Sequence, residues 1–257
     1  MTTSNLDRLL DFALNAAKAA SEAILREQKS LKIWQKADGS PLSSADLASN
    51  QALCEALKPT DIAICSEESP LDFDTRKHLT HFWLIDPLDG TKSFIKNSDE
   101  YCILVALIAR KRPILSLIAK PSTAEIYYAH EKSPLYKNAA PLKIDYETFA
   151  KAQKIALVSV HHPNEKNGEF LVKNALTPAK ISSALKFVAL LEGRAGVYHR
   201  FERLHSWDIA AGDFLLNQSG GFMGDLRGKA LSYNEKSFLC EHFVAVSKKE
   251  FLKDIKI

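Results

Sequence analysis

Cysteine is scarce in this sequence: four residues in 257 (Cys54, Cys65, Cys102 and Cys240), with no Cys-x-x-Cys spacing. That pattern excludes a zinc knuckle and a disulfide framework. Cys65 and Cys102 fall inside apolar, strand-like runs, where a reduced thiol behaves as a small hydrophobe. Long apolar runs are also missing. The longest, Cys102–Ala109, is far short of the ~20 residues a membrane-spanning helix needs, so no stable membrane insertion is expected. No basic leader followed by an apolar core opens the chain, and the expectation is a soluble, cytoplasmic protein, transient membrane contact being left open. An excess of one charge is lacking too: 34 Lys and Arg stand against 31 Asp and Glu, a net +3. The densest basic groups, Arg110-Lys111-Arg112 and Lys248-Lys249, form no stripe, which argues against a nucleic-acid polymer as partner. There is no internal repeat and no Gly/Ser linker.

What is present is an ordinary globular balance, 46% hydrophobic and 25% charged, long enough for one large core or two smaller ones in contact. Residues 4–26 read as an amphipathic helix with Leu6, Leu9, Leu10, Ala13, Ala17 and Ile24 on one stripe, and Ser4 followed by Asp7 suggests its capping box. The polar stretch 35–41 reads as a turn-rich loop, after which Ser43 or Ser44 caps a second helix to about Leu57. Strands are expected at Ile62–Cys65, Phe82–Ile85, Tyr101–Ala109, Ile114–Ala119 and Glu125–Ala129, with Arg110–Pro113 as a hairpin connection. Two prolines within 131–142 suggest a soft boundary. It divides an N-terminal α+β half, 1–135, from a C-terminal α/β half, 136–257. In the second half Ile155–Val160, Gly196–Tyr198 and Phe243–Val246 read as strands. Glu165–Leu176, Ser183–Leu191 and Trp207–Leu216 read as helices.

The chemistry concentrates in Trp83-Leu84-Ile85-Asp86-Pro87-Leu88-Asp89-Gly90-Thr91-Lys92. A hydrophobic strand runs into two carboxylates three positions apart, then into a Gly-Thr turn able to open a helix. Carboxylates are hard oxygen ligands of the kind Mg²⁺ takes, and the Leu88 carbonyl offers another oxygen. Gly90 permits close backbone approach, and amides at a helix start suit a phosphate. An isolated Asp-x-x-Asp-Gly is equally a turn residue followed by an N-cap. A second acidic pair, Glu67-Glu68, also follows an apolar run, and alone reads as a solvated loop. A third element, Trp207-Asp208-Ile209-Ala210-Ala211-Gly212-Asp213, alone reads as a capped packing helix. Together they supply four carboxylates, Glu67, Asp86, Asp89 and Asp208, about what a site for two Mg²⁺ ions requires.

These three segments, in this order and spacing, resemble the signature segments of the inositol monophosphatase superfamily. The stretch Lys36 to Asp46 resembles its N-terminal loop, so the resemblance spans residues 30 to about 220. It implies a layered αβαβα sandwich of the sugar-phosphatase type, in the α+β / α/β class. Further features resemble the bacterial 3'(2'),5'-bisphosphate nucleotidases of the CysQ type. Lys92 follows Gly90-Thr91 where inositol monophosphatases carry a second Thr or an Asn-rich continuation. Ser182-Ser183-Ala184-Leu185-Lys186-Phe187 is similar to a Ser-Ser-Leu-Lys-Phe segment, with one extra residue. Tyr198-His199-Arg200-Phe201 is similar to a Tyr-x-Arg-Phe segment that supplies an anion-binding Arg. Ser159 to His162 is similar to Ser-x-Ser-His, with His161 in place of the second Ser.

The resemblance implies hydrolysis of 3'-phosphoadenosine 5'-phosphate to AMP and phosphate, with two or three Mg²⁺ ions as cofactor and Li⁺ as inhibitor. Glu67, Asp86, Asp89, Asp208 and the Leu88 carbonyl become the metal ligands. Asp46 and Thr91 form the dyad that orients and deprotonates the attacking water. Gly90, Thr91, Ser183, Lys186, Arg200 and Asp208 contact the substrate, and Glu68, Lys36 and His162 are further candidates. The plainer readings are Lys186 as a surface helix residue and Arg200 as a simple partner of Glu202; the functional ones are preferred because a bisphosphorylated substrate needs cations for its second phosphate. A sulfate-assimilation role follows from the family only. The expected partners are the nucleotide bisphosphate and, at most, a second copy of the chain as a homodimer. Two alternatives stay open: another sugar or polyol phosphatase of the superfamily, such as an inositol monophosphatase, and a non-catalytic nucleotide-binding protein.

Overall fold

The structure is a computed structural model that describes residues 1–143, 145–160 and 164–256. Among these residues the helices are α1 (Thr3–Glu27), α2 (Ser44–Leu57), α3 (Phe73–Arg76), α4 (Thr91–Ile95), α5 (Tyr146–Ala152), α6 (Glu165–Lys173), α7 (Leu185–Leu191) and α8 (Ser206–Gln218). The strands are β1 (Ile33–Gln35), β2 (Pro41–Ser43), β3 (Ile64–Ser66), β4 (His81–Asp89), β5 (Cys102–Ala109), β6 (Arg112–Lys120), β7 (Glu125–His130), β8 (Tyr136–Lys137) and β9 (Ala140–Pro141). They are followed by β10 (Ile155–Val158), β11 (Thr177–Lys180), β12 (Val197–Arg200), β13 (Phe222–Asp225) and β14 (Phe243–Val246).

A large sheet runs in the order β3-β4-β5-β6-β7-β8-β9, and a smaller one in the order β11-β10-β12-β14-β13. In the large sheet only β3 and β4 pair in parallel. Its central strands read as unbroken apolar runs because both of their faces are covered. On one face Trp83, Ile85, Ile103, Val105 and Leu107 pack against α1 and α2. On the other, Phe82, Leu84, Leu104, Ala106 and Ile108 meet α7 and α8. Those two helices are sandwiched in turn by the inner face of the small sheet, including Tyr198, Phe243 and Ala245. Phe149 of α5 and Phe170 of α6 cover the outer face, on Ala156, Val197 and Val244. The layers are thus αβαβα, as the resemblance implied.

Helix α8 lies in the middle layer, with apolar contacts on both sides, and its small residues follow from that. A Cβ added at Gly212 would stand 2.1 Å from the Phe187 ring of α7, so the close helix–helix approach requires glycine. Asp213, buried in this layer, is held by Arg112 Nη1 at 2.7 Å and the Tyr233 hydroxyl at 2.6 Å. These bonds lock α8, and with it the helix start that carries Asp208, onto β6.

Several expectations need correction. Helix α1 begins at Thr3, so Thr2 is its cap, accepting from the Asn5 amide at 3.2 Å. Ser4 lies inside the helix, and Asp7 pairs instead with His130 at 2.9 Å. The stretch 35–41, read as a loop, closes a small β1–β2 hairpin. The third long helix stops at Lys173 and is followed by β11, an edge strand that its Pro178 obscured. Ser183 does not start α7, because its φ of +55° places it in the left-handed region. Ser43, by contrast, caps α2 as expected and forms a capping box with Asp46.

Candidate metal centre and active site

In an ideal strand, residues three apart point to opposite faces, so Asp86 and Asp89 would diverge. The pairing of β4 with β5 shifts register between these two residues, and this bulge re-aims them into one cavity. The irregular backbone stays satisfied. Ser49 Oγ donates to the Pro87 carbonyl at 2.6 Å, and the Leu88 amide donates to Asp86 Oδ1 at 3.0 Å. Gly90 then turns the chain with φ +96°. A Cβ there would stand 2.8 Å from the Glu100 carbonyl and 3.1 Å from Ser183 Cβ, so the sharp entry to α4 requires glycine.

Glu67 follows β3, and its amide extends the parallel pairing by donating to Ile85 O at 3.1 Å. Asp208 sits in the first turn of α8, where its Oδ2 accepts from the His205 amide at 2.9 Å. Glu67, Asp86 and Asp208 each bring one oxygen to within 4.8 Å of the others. Asp89 lines the same cavity, but one of its oxygens accepts the Ala184 amide. The expected quartet is therefore three grouped carboxylates with a fourth beside them. Burial, and then mutual repulsion, pushes Asp86 and Asp208 well above the usual carboxylate range. Asp89 rises to about 6, burial outweighing the Ala184 amide and Lys186. Clustered anionic oxygens with no soft donor among them are what a hard divalent cation neutralises, so the residues fit Mg²⁺.

Lys36 reaches into this cluster from the tip of the β1–β2 hairpin. Its ammonium lies 2.8 Å from Glu67 Oε1 and 2.7 Å from Glu68 Oε1. Partial burial works against its charge, yet the two carboxylates hold its pKa above the usual value. Asp46 and Thr91 do meet: Thr91 Oγ1 lies 2.9 Å from Asp46 Oδ1 and 3.1 Å from the Leu88 carbonyl. Asp46 is buried and already accepts from the Ser43 amide and hydroxyl. Burial raises its pKa against those bonds.

The remaining walls of the cavity, about 310 Å³, come from the second half of the chain: Ser182, Ser183, Lys186, Tyr198, Arg200 and His205 among them. Lys186 is not a surface residue but is 4% exposed. Its Nζ donates to Ser183 O at 3.0 Å, and burial lowers its pKa to about 8. Arg200 is 6% exposed. It does pair with Glu202, Nε to Oε2 at 3.1 Å, but the contact is misaligned and Nε makes no hydrogen bond. The simple-partner reading and the cavity-facing reading therefore both describe Arg200. His162 lies outside the described residues. Sequence reasoning missed His205, which stacks on Trp207 with centroids 4.8 Å apart. Its place three residues before Asp208, at an N-cap, was the available signal.

Comparison with known proteins gives a consistent result. The model of the inositol monophosphatase family matches residues 5–256. A protein of Salmonella typhimurium named 3'(2'),5'-bisphosphate nucleotidase CysQ is 32% identical over 238 residues, covering 90% of this chain and 96% of that one. The crystal structure of CysQ from Bacteroides thetaiotaomicron, described as a bacterial member of the inositol monophosphatase family, superposes with a TM-score of 0.81 at 26% identity. It covers 95% of this chain and 98% of that chain. An IMPase/NADP phosphatase crystallised with Mg²⁺ and phosphate shares the fold at TM-score 0.80 and 19% identity, covering 97% and 95%.

Proposed function

We propose that this chain, which belongs to the inositol monophosphatase family and is a phosphatase of that superfamily, removes the 3'-phosphate of 3'-phosphoadenosine 5'-phosphate in a Mg²⁺-dependent reaction. The observation that carries this reading is the polarity of one cavity. It is lined by the grouped carboxylates Glu67, Asp86 and Asp208 and by two buried cations, Lys186 and Arg200. Arg200 Nε makes no hydrogen bond, its contact with Glu202 being misaligned, and a buried guanidinium short of acceptors is costly unless an anion meets it. A substrate with two phosphates engages both the metal ligands and the cations, whereas a monophosphorylated polyol leaves the cations without a phosphate. The relatives named as bisphosphate nucleotidases support the same choice.

In this reading Glu67, Asp86, Asp89, Asp208 and the Leu88 carbonyl would hold two Mg²⁺ ions. When bound, the metal would supply Lewis-acid stabilisation of the charge that develops in phosphoryl transfer. Thr91 Oγ1, held by Asp46, orients the attacking water. Asp46 takes up the proton, a role that the burial-raised basicity of its carboxylate favours. A new O–P bond forms as the P–O3' bond breaks, and the 3'-oxygen leaves as the hydroxyl of AMP after protonation from solvent. Lys186 and Arg200 hold the 5'-phosphate without touching the reacting centre. Li⁺ inhibition, a cytoplasmic location and a role in sulfur assimilation belong to the same reading.

The test is Mg²⁺-dependent phosphate release from 3'-phosphoadenosine 5'-phosphate, inositol 1-phosphate and fructose 1,6-bisphosphate, each with and without Li⁺. Preference for the nucleotide, suppressed by Li⁺, is expected. Preference for either of the others would keep the metal centre and overturn the substrate.

A further inference from the structure

The pairing of Arg200 with Glu202 raises the question of what that carboxylate does at a cationic wall. Arg200 ends β12, whose alternation sends Tyr198 into the inner core and Val197 into the outer one. Glu202 lies two residues on, 28% exposed, with Oε2 3.1 Å from Arg200 Nε. It is held from elsewhere as well. The Asn167 side-chain amide of α6 stands 3.3 Å from one Glu202 oxygen and 3.4 Å from the other. Asn167 is itself buried, and it is fixed in the first turn of its helix. Its amide donates to the capping Asn164 side chain at 3.3 Å, and its carbonyl lies 3.3 Å from His199 Nε2. A buried amide on one layer thus donates to a carboxylate, and that carboxylate lies beside the Nε edge of a buried guanidinium.

We propose that Glu202, anchored by Asn167, is a positioning residue that aims Arg200 at the second phosphate and so sets the preference for bisphosphorylated over monophosphorylated substrates. A guanidinium presents its donors in a fixed plane, so a carboxylate drawn by charge to the Nε edge, without a hydrogen bond there, leaves the two terminal nitrogens to grip a phosphate as a fork. Arg200 and Lys186 line one wall and are both buried, so they repel each other. A carboxylate beside one of them lets both stay there before the substrate arrives, which reduces the ordering cost at binding. This inference rests on the nucleotidase reading above.

The experiment compares 3'-phosphoadenosine 5'-phosphate with adenosine 3'-monophosphate, which carries the reacting phosphate but lacks the second one. Steady-state kinetics are measured with Mg²⁺ on the intact chain, on Glu202→Gln and on Asn167→Ala. The ratio of kcat/KM for the two substrates is expected to fall about tenfold in Glu202→Gln, which keeps the shape and removes the charge of one close ion pair. The change should lie in the KM for the bisphosphate rather than in kcat. Asn167→Ala should move it the same way by less, and it carries the test if Glu202→Gln fails to fold. A wild type that does not prefer the bisphosphate would overturn the nucleotidase reading and this inference with it. A wild type that prefers it, with variants whose ratio is unchanged, would overturn the role of Glu202 alone. So would a fall in kcat/KM shared equally by both substrates.

Discussion

Asp89→Asn should make the chain more stable when no metal is present, and the gain should depend on pH in a defined direction. Asp89 titrates near 6 in the fold, against 3.8 for an ordinary carboxyl, chiefly because it is buried. A raised acid destabilises the fold only when it must ionise. Below about pH 4 it is protonated in both states and costs nothing; the cost grows as pH rises and levels off above pH 6. The two values correspond to about 3 kcal/mol, taken as an upper bound. Asparagine has nearly the same shape, keeps an acceptor for the Ala184 amide and does not titrate. Denaturant unfolding in EDTA should therefore show the variant nearly equal to wild type at pH 4 and more stable by up to about 3 kcal/mol at pH 7.5. With Mg²⁺ at a hundred times its dissociation constant the wild type should recover about 2.7 kcal/mol, and the variant much less. A variant less stable than wild type in EDTA, or a difference independent of pH, would refute the reasoning.

Three further outcomes follow from the same geometry. Asp46→Asn and Thr91→Ala should each lower kcat by about 10²–10⁴ while moving KM little; steady-state rates within threefold of wild type would remove the dyad. Lys36→Met takes away the ammonium held between Glu67 and Glu68, so titration calorimetry should show tighter Mg²⁺ binding. Unchanged or weaker binding would mean that Lys36 organises the carboxylates instead of competing for them. Lys186, drawn down to about 8 by burial, is cationic at pH 7 and loses its charge as pH rises through 8. The KM for 3'-phosphoadenosine 5'-phosphate should rise above pH 8 in the wild type, and this rise should be absent in Lys186→Met.

The parts of this molecule that sequence made legible are those whose signals are local. The unbroken apolar runs of β4 and β5 announced strands, and Ser43-Ser44 announced the start of α2 because capping is a three-residue event. Asp86 and Asp89 were legible as an acidic pair that the Pro87 turn could bring together at the strand end, but the form of that convergence was not. It depends on a bulge against β5, a strand whose pairing no local pattern encodes. The same limit hid the Lys36 bridge, which joins residues 31 and 32 positions apart. It also hid the burial of Lys186, whose helix is covered on two sides by sheets distant in sequence. Thr2 displaced Ser4 as a cap because the helix begins two residues earlier than a Ser4 cap requires. β11, interrupted by a Pro, and β13, with a Gly and no β-branched residue, lack the run of strand formers that marks a strand and are formed by their neighbours.

The central claim is that the metal centre faces the 3'-phosphate while the cationic wall keeps the 5'-phosphate. The most direct test is ³¹P NMR of 3'-phosphoadenosine 5'-phosphate turned over by the intact chain with Mg²⁺. The account predicts loss of the 3'-phosphate resonance, growth of inorganic phosphate and a retained 5'-phosphate, with AMP as product. Loss of the 5'-phosphate, or no turnover under saturating Mg²⁺, would contradict it.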